Sequence, residues 1–134
     1  MNYLVDSSAW IEYFKGNRKF YFLNDFIGIN TICTNDIILS ELLPSIIHKK
    51  EKNLAELLNC VKKYELYIDW QEIRNIQLLN LQHGNNNIGI SDIIIAQNCM
   101  QNGLKIIIHD KHFEAMARYV PLVIHKGTST VETL

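Results

Sequence analysis

Short apolar runs alternate with amphipathic segments along the whole chain. The apolar runs are predicted as strands because they are short, rich in branched or aromatic residues and bounded by polar residues or glycine. They span residues 2–5, 31–34, 66–70, 104–109 and 121–125. Strands separated by helices of about 10–15 residues predict crossover connections and a parallel sheet. We therefore predict the α/β class, with a central parallel sheet and helices on both of its faces.

Apolar residues recur at helical spacing between these strands. The predicted helices span residues 7–15, 17–28, 37–46, 51–64, 71–84, 92–103 and 111–119. A side-chain oxygen at the start of a helix accepts a hydrogen bond from the first free N–H groups. On this ground Ser7 or Ser8 is expected to cap the first helix, Thr34 or Asn35 the third, and Ser91 the sixth.

Length and composition indicate one globular domain. The 134 residues suffice for a single core, and we assign residues 1–134 to one domain. Apolar residues make up 48% and charged residues 20%, and no apolar run approaches the ~20 residues of a membrane span. The N-terminus lacks the features of a signal peptide. Three widely spaced cysteines, Cys33, Cys60 and Cys99, fit reduced thiols, which favours a cytoplasmic protein.

The net charge of −1 gives no general attraction for nucleic acid, so RNA or DNA binding would depend on local patches. Three basic patches are visible. They are Lys15, Arg18 and Lys19; Lys49, Lys50 and Lys52; and His109, Lys111 and His112. Each patch alone is typical of a solvated helix end or loop.

Four carboxylates are expected at one end of the predicted sheet. Asp6 and Asp110 follow predicted strands, and Asp92 opens a predicted helix. Glu41 lies about two turns into the helix after the second strand, where the apolar run around it predicts an inward side chain. In open parallel sheets ligands bind outside the carboxyl ends of the strands. These four acids are therefore predicted to converge on one rim.

Each acid also has a purely structural interpretation. Asp6 and Asp110 fit helix caps, and Asp92 fits a first-turn acid favoured by the helix dipole. A solvated stripe that includes Ser40 would account for Glu41. Four such coincidences at one end of a sheet are less plausible than a functional site.

Clustered carboxylates repel one another unless a cation or a proton intervenes. Mg²⁺ takes oxygen ligands and keeps several waters, and its open positions suit phosphate oxygens. One or two such ions assist the hydrolysis of a phosphodiester. The acids therefore predict a site for Mg²⁺ or Mn²⁺ that acts on phosphodiesters.

Other kinds of site find less support. His109 and His112 lack further ligands at zinc spacing, and no nucleophile elbow or Gly-rich phosphate loop occurs. A receiver-like domain also gathers acids around Mg²⁺, and it would use Asp69 on the predicted strand 66–70 as phosphoacceptor.

The aromatic stretch 20–26 fits core packing, and a groove for a partner's helix or strand is a second interpretation.

Four segments carry a family resemblance: LVDSSAWIEYF, ILSELLP, GISDIIIAQNCMQNGLKIII and HDKHF. In this order and spacing they resemble the successive motifs of PIN domains, above all those of the toxin subunits of VapBC-type toxin–antitoxin pairs. The motifs are individually short but specific in combination, and the resemblance covers nearly the whole chain.

The resemblance implies a PIN-like fold and a metal-dependent endoribonuclease whose products carry a 5′-phosphate and a 3′-hydroxyl. The family's acidic quartet maps onto Asp6, Glu41, Asp92 and Asp110. Ser7 corresponds to the hydroxyl residue that follows the first aspartate. It would contact the acids without binding the ion itself, or cap the first helix, or both. Lys111 and His112 are candidate contacts to RNA. The resemblance also implies a homodimer that a small antitoxin neutralises.

The chain departs from the family pattern at Ile108, where members often carry a hydroxyl residue two places before the last aspartate. This change bears on the placement of a water or a second metal ion more than on the fold. Two alternatives therefore stay open. One is a PIN-like nuclease that processes RNA and is not a toxin, and the other is a catalytically weak RNA-binding or regulatory α/β module.

Overall fold

A parallel sheet forms the centre of the molecule, and the computed structural model describes residues 2–125. The strands are β1 (Tyr3–Val5), β2 (Ile32–Thr34), β3 (Lys62–Lys63), β4 (Lys105–Ile107) and β5 (Val123–Ile124). They lie in the order β3-β2-β1-β4-β5, and every neighbouring pair is parallel. The predicted α/β class with a central parallel sheet is confirmed.

Helices connect these strands and cover the sheet. They are α1 (Ser7–Phe14), α2 (Phe22–Gly28), α3 (Asp36–His48), α4 (Lys52–Cys60), α5 (Trp70–Gln82), α6 (Ile90–Asn102) and α7 (His112–Met116), with a 3₁₀ turn at Arg18–Phe20. The chain runs outward from β1 to β3 and then crosses back to β4 and β5. Because crossovers are right-handed, this reversal distributes the helices over both faces of the sheet.

β1 is the central strand, and it brings two loops together. Val5 pairs with Ile107 of β4, and Leu4 pairs with Cys33 of β2. The connections from β1 and β4 leave in opposite directions, which opens a crevice at the carboxyl ends of these two strands. The N–H of Asp6 closes the pairing by donating to the carbonyl of Ile107 at 2.9 Å. The segments after β1 and β4 therefore begin side by side.

The strand predicted at residues 66–70 is wrong. Alternate side chains of this extended segment pack on the core, which produced the strand-like pattern. Its backbone, however, bonds to amide side chains of α6 and not to a neighbouring strand. Asn98 donates to the carbonyl of Glu65 at 3.0 Å, and Gln97 bonds to both the N–H and the carbonyl of Asp69. This pairing explains why polar Gln97 and Asn98 are buried.

The helix predicted over residues 51–64 is too long. It ends at Cys60, and the next residues form the edge strand Lys62–Lys63, which pairs with Cys33 and Thr34 of β2. Both lysine side chains are exposed, so the strand carries no apolar signal. Charged residues, lysine especially, are common on edge strands because they discourage pairing with another chain.

Two of the predicted helix caps shift by one or two residues. Asp6 caps α1 by accepting from the N–H of Ser8, one residue before the serines that were predicted for this role. Asn35 caps α3 as predicted. α6 begins after Gly89 and not after Ser91, because the carbonyl of Gly89 already accepts the first helical hydrogen bond.

The aromatic stretch 20–26 belongs mainly to the core. Phe20, Phe22 and Phe26 are buried and contact one another, whereas Tyr21 is exposed. Core packing, the first interpretation of this segment, therefore accounts for its phenylalanines.

Asn35 caps α3 and also bonds to a buried side chain of α6, so its loss should lower the stability of the fold. Its Oδ1 accepts from the N–H of Ile38 at 3.0 Å, and its Nδ2 donates to Asn98 Oδ1 at 3.0 Å. We expect Asn35→Ala to lower the free energy of unfolding by about 2–4 kcal/mol, as a lost cap costs ~1 kcal/mol and an unsatisfied buried amide about 1–3 kcal/mol. Urea unfolding measures this, and exposed Asn86→Ala is the control, with a change within about 0.5 kcal/mol. Equal effects of the two substitutions would contradict the role of Asn35.

Candidate active site

Asp6 lies at the crevice where β1 ends, and the fold buries it. Only 4% of the residue is exposed. Its Oδ2 accepts two hydrogen bonds from Ser8, at 3.2 Å from the backbone N–H and at 2.6 Å from the hydroxyl. The predicted position at the strand end is confirmed, and the capping interpretation also holds, because the same carboxylate caps α1.

Ser8 links Asp6 to the loop after β4. Its Oγ donates to Asp6 and accepts from the backbone N–H groups of His109 and Asp110, each at 3.2 Å. The Ser8 hydroxyl thus holds Asp6 next to the loop that carries Asp110. The sequence predicts only a capping role for Ser8, because its other two partners lie about a hundred residues away.

Glu41 extends the site along α3. Its Oε1 accepts a hydrogen bond from the hydroxyl of Ser7 at 3.2 Å, so Ser7 contacts one of the four acids, and its supporting role in the site stays a prediction. The predicted inward orientation of Glu41 is wrong, because the residue is exposed. A helix turns 100° per residue, so Glu41 lies about 100° from the centre of the buried stripe of Ile38, Leu42 and Ile46.

Asp92 and Asp110 are joined by a histidine. Asp92 is the third residue of α6, in the first turn, where the helix dipole favours a negative charge. His112 Nδ1 lies 3.3 Å from Asp92 Oδ2 and 3.5 Å from Asp110 Oδ1, and its backbone N–H donates to Asp110 Oδ1 at 2.9 Å. His112 therefore lies between two acids of the site. Lys111 is exposed beside them, and its contact with RNA stays a prediction, as does that of His112.

The negative charges of this cluster affect one another. Burial raises the pKa of Asp6 above its ordinary value, the hydrogen bonds from Ser8 oppose this shift, and the charge of Asp92 adds to it. Burial likewise raises the pKa of Glu41, against the hydrogen bond from Ser7, and the charges of Asp6 and Asp92 add to the shift. Neighbouring negative charges thus disfavour the ionisation of Asp6 and Glu41.

Hydrogen bonds, His112 and the backbone of residues 6–8 link the four predicted acids, which we call the acidic rim: Asp6, Glu41, Asp92 and Asp110. Within residues 2–125, however, no three aspartate, glutamate, histidine or cysteine side chains are grouped closely enough to hold a metal ion by themselves. Carboxylate oxygens are donors that suit Mg²⁺, which proteins usually bind through one or two carboxylates, with waters and substrate phosphates as the other ligands. The oxygen donors also suit Mn²⁺.

Asp69, the candidate phosphoacceptor of a receiver-like domain, lies outside the acidic rim. It caps α5 by accepting from the N–H of Glu72 at 3.3 Å, and the residues directly before it, 64–68, form no strand. A phosphoacceptor of that class would follow a central strand, so the structure does not favour the receiver interpretation.

The family follows from the sequence. Residues 3–119 match the PIN domain family, and the chain belongs to that family. No curated protein sequence matches the chain significantly.

Solved structures share the fold. VapBC2 from Rickettsia felis, bound to a DNA fragment from its promoter, matches with a TM-score of 0.73 at 17% identity over 93% of this chain and 98% of that one. DNA-bound VapBC from Salmonella typhimurium gives 0.73 at 17% identity over 96% and 99% of the two chains. FitAcB from Neisseria gonorrhoeae gives 0.71 at 18% identity over 93% and 97%.

In the part of the chain that the structure describes, none of the helices has both the length and the apolar character needed to cross a bilayer.

The raised pKa of Asp6 predicts a pH-dependent gain in stability when the charge is removed. A carboxyl whose pKa is raised in the folded state stabilises the fold while it is protonated, and this contribution is lost as the pH rises through the raised value. In the absence of divalent ions, Asp6→Asn should therefore melt at a higher temperature than the wild type at pH 7. The difference should shrink as the pH is lowered toward 4, and asparagine still caps the helix.

The control for this comparison is Asp25→Asn, which removes an exposed carboxylate on α2. Its melting temperature should follow that of the wild type at both pH values. A melting temperature of Asp6→Asn at or below the wild-type value at pH 7 would show that the charge of Asp6 is not a cost to the fold.

Proposed function

We propose that this protein is an endoribonuclease toxin that cleaves RNA phosphodiester bonds with Mg²⁺ or Mn²⁺ and that a small antitoxin neutralises it. The observation that supports the proposal is the acidic rim, in which Asp6 and Asp110 follow β1 and β4, His112 links Asp110 to Asp92, and Ser7 links Glu41 to the start of α1. PIN domains are a nuclease family, and a shared fold with VapBC and FitAcB supports the toxin class.

The residues that would hold the ion are those of the acidic rim, with Asp6 and Asp92 at its centre. A bound Mg²⁺ or Mn²⁺ activates water and offsets charge on the phosphate. Ser8 keeps Asp6 oriented, and His112 keeps Asp92 and Asp110 on the same side of the crevice. Glu41 Oε1 is held by Ser7, which leaves Oε2 free of that bond and open to a water or a proton.

A homodimer acting in the cytoplasm is part of the same proposal. The exposed face of α5 supports a protein interface because Trp70, Leu78 and Leu81 are each more than half exposed. Together with neighbouring Tyr67, which is 75% exposed, they give this side of the molecule an apolar character unusual for a solvated surface.

RNA cleavage by a purified Asp92→Asn variant tests the proposed activity. We expect the wild type to cleave single-stranded RNA with Mg²⁺ or Mn²⁺ and to stop when a chelator is added. Asp92→Asn should lower the rate at least ~100-fold, the loss that follows removal of one oriented group that stabilises charge in a reaction. Analysis of the product ends should show a 5′-phosphate and a 3′-hydroxyl.

Asp69→Asn is the matched control, because Asp69 is a helix-capping carboxylate outside the acidic rim and asparagine caps equally well. Its cleavage rate should equal that of the wild type. Undiminished cleavage by a folded Asp92→Asn protein would contradict the proposed site.

A further inference from the structure

An open groove of about 900 Å³ lies on the β4–β5 side of the sheet. The 3₁₀ turn, the loop after β4, the segment around α7 and the edge strand β5 form its walls. The residues that matter below are Lys19, Phe20, His109, Glu114 and Arg118. We call this surface the basic groove.

The basic groove adjoins the loop that carries Asp110 of the acidic rim. His109 lines the groove and immediately precedes Asp110 in the chain. The backbone N–H of His109 donates to Ser8 Oγ at 3.2 Å, and the same hydroxyl donates to Asp6. A strand whose phosphate lies at the acidic rim therefore has its neighbouring nucleotides within reach of this surface.

The charge of the groove is opposite to that of the whole chain. Lys19 and Arg118 are exposed in its walls, and neither forms an ion pair with any residue between 2 and 125. Glu114 is the opposing acid. Two cations and one carboxylate leave a local charge of +1, whereas the chain carries −1.

His109 gives the groove a flat aromatic surface. Its ring meets the buried ring of Phe20 edge to face, with centroids 5.7 Å apart, and the residue is exposed to solvent. Proteins bind single-stranded RNA by stacking bases on aromatic rings, histidine included, while cations contact the phosphates. Both elements are present on this one surface.

We infer that the basic groove binds the RNA strand on one side of the cleaved bond, with phosphates on Lys19 and Arg118 and a base on His109. This inference rests on the proposed function and names the path of its substrate. A short segment of RNA fits the groove, because its volume of about 900 Å³ lies within the range of about 300–1,000 Å³ that ligand sites span.

The test measures binding of a fluorescently labelled single-stranded RNA 12-mer by anisotropy over a range of salt concentrations, in the slow Asp92→Asn background. Adding Lys19→Ala and Arg118→Ala should weaken binding at least ~10-fold. The slope of log K against log salt should fall by about 1.4, or about 0.7 for each lost phosphate contact on a single strand. Adding Glu114→Gln alone should instead raise the affinity for the RNA, because it removes the negative charge of the groove.

Lys62→Ala with Arg74→Ala is the matched control, because it removes one exposed lysine and one exposed arginine outside the groove and outside the other basic patches. The affinity and the salt slope of this control should not change. In the cleaving protein, Lys19→Ala with Arg118→Ala should raise KM for the 12-mer and leave the hydrolysis of bis(p-nitrophenyl) phosphate unchanged, since that substrate is too short to reach the groove.

Equal salt slopes for the groove variant and the control would overturn the inference while leaving cleavage by the wild type, and so the proposed function, intact. Loss of antitoxin inhibition with unchanged RNA binding would likewise overturn it and assign the groove to a protein partner. Failure of the wild type to cleave or bind RNA would remove the proposed function together with the groove assignment.

Discussion

The candidate site depends on the carboxylate of Asp6, which the fold buries where β1 ends. Asp6 has almost no contact with solvent, and its carboxylate is held by the backbone and the hydroxyl of Ser8. Burial and the nearby charge of Asp92 raise its pKa, so the ionised form exists at a cost in stability. Functional sites are where proteins commonly retain such unfavourable arrangements. A cation bound between these acids would offset the cost.

The sheet topology explains why the charges meet there. β1 lies between β2 and β4, and the reversal of strand order beside it opens the crevice into which both loops project. α6 contributes Asp92 from its first turn, while the middle of the helix, from Ile93 to Cys99, is buried. The position of this acid is therefore set by a rigid core helix. Such placement suits a site whose groups must keep fixed separations.

The sequence predicted the location of the acids better than their orientation. Asp6 and Asp110 follow strands, and parallel strands end on the same edge, so their meeting was predictable from local pattern alone. The exposure of Glu41 was not, because its neighbours in α3 are apolar and only the helical angle separates it from the buried stripe. The role of Ser8 required knowledge of contacts 101 and 102 residues away. The segment 66–70 has the pattern of a strand but is not one, because amide side chains of α6 satisfy its backbone in place of a neighbouring strand.

Calorimetric titration of the protein with Mn²⁺ tests the central claim most directly. That claim is that the acidic rim binds a cation, which offsets the cost of ionising Asp6 and Glu41. Titrations in two buffers with different ionisation enthalpies report the protons released on binding. The account predicts saturable binding with more proton release at pH 5 than at pH 7, because the raised pKa values of Asp6 and Glu41 make these carboxyls hold protons at a higher pH than ordinary carboxyls do. Absence of saturable binding, or binding without proton release at either pH, would contradict it.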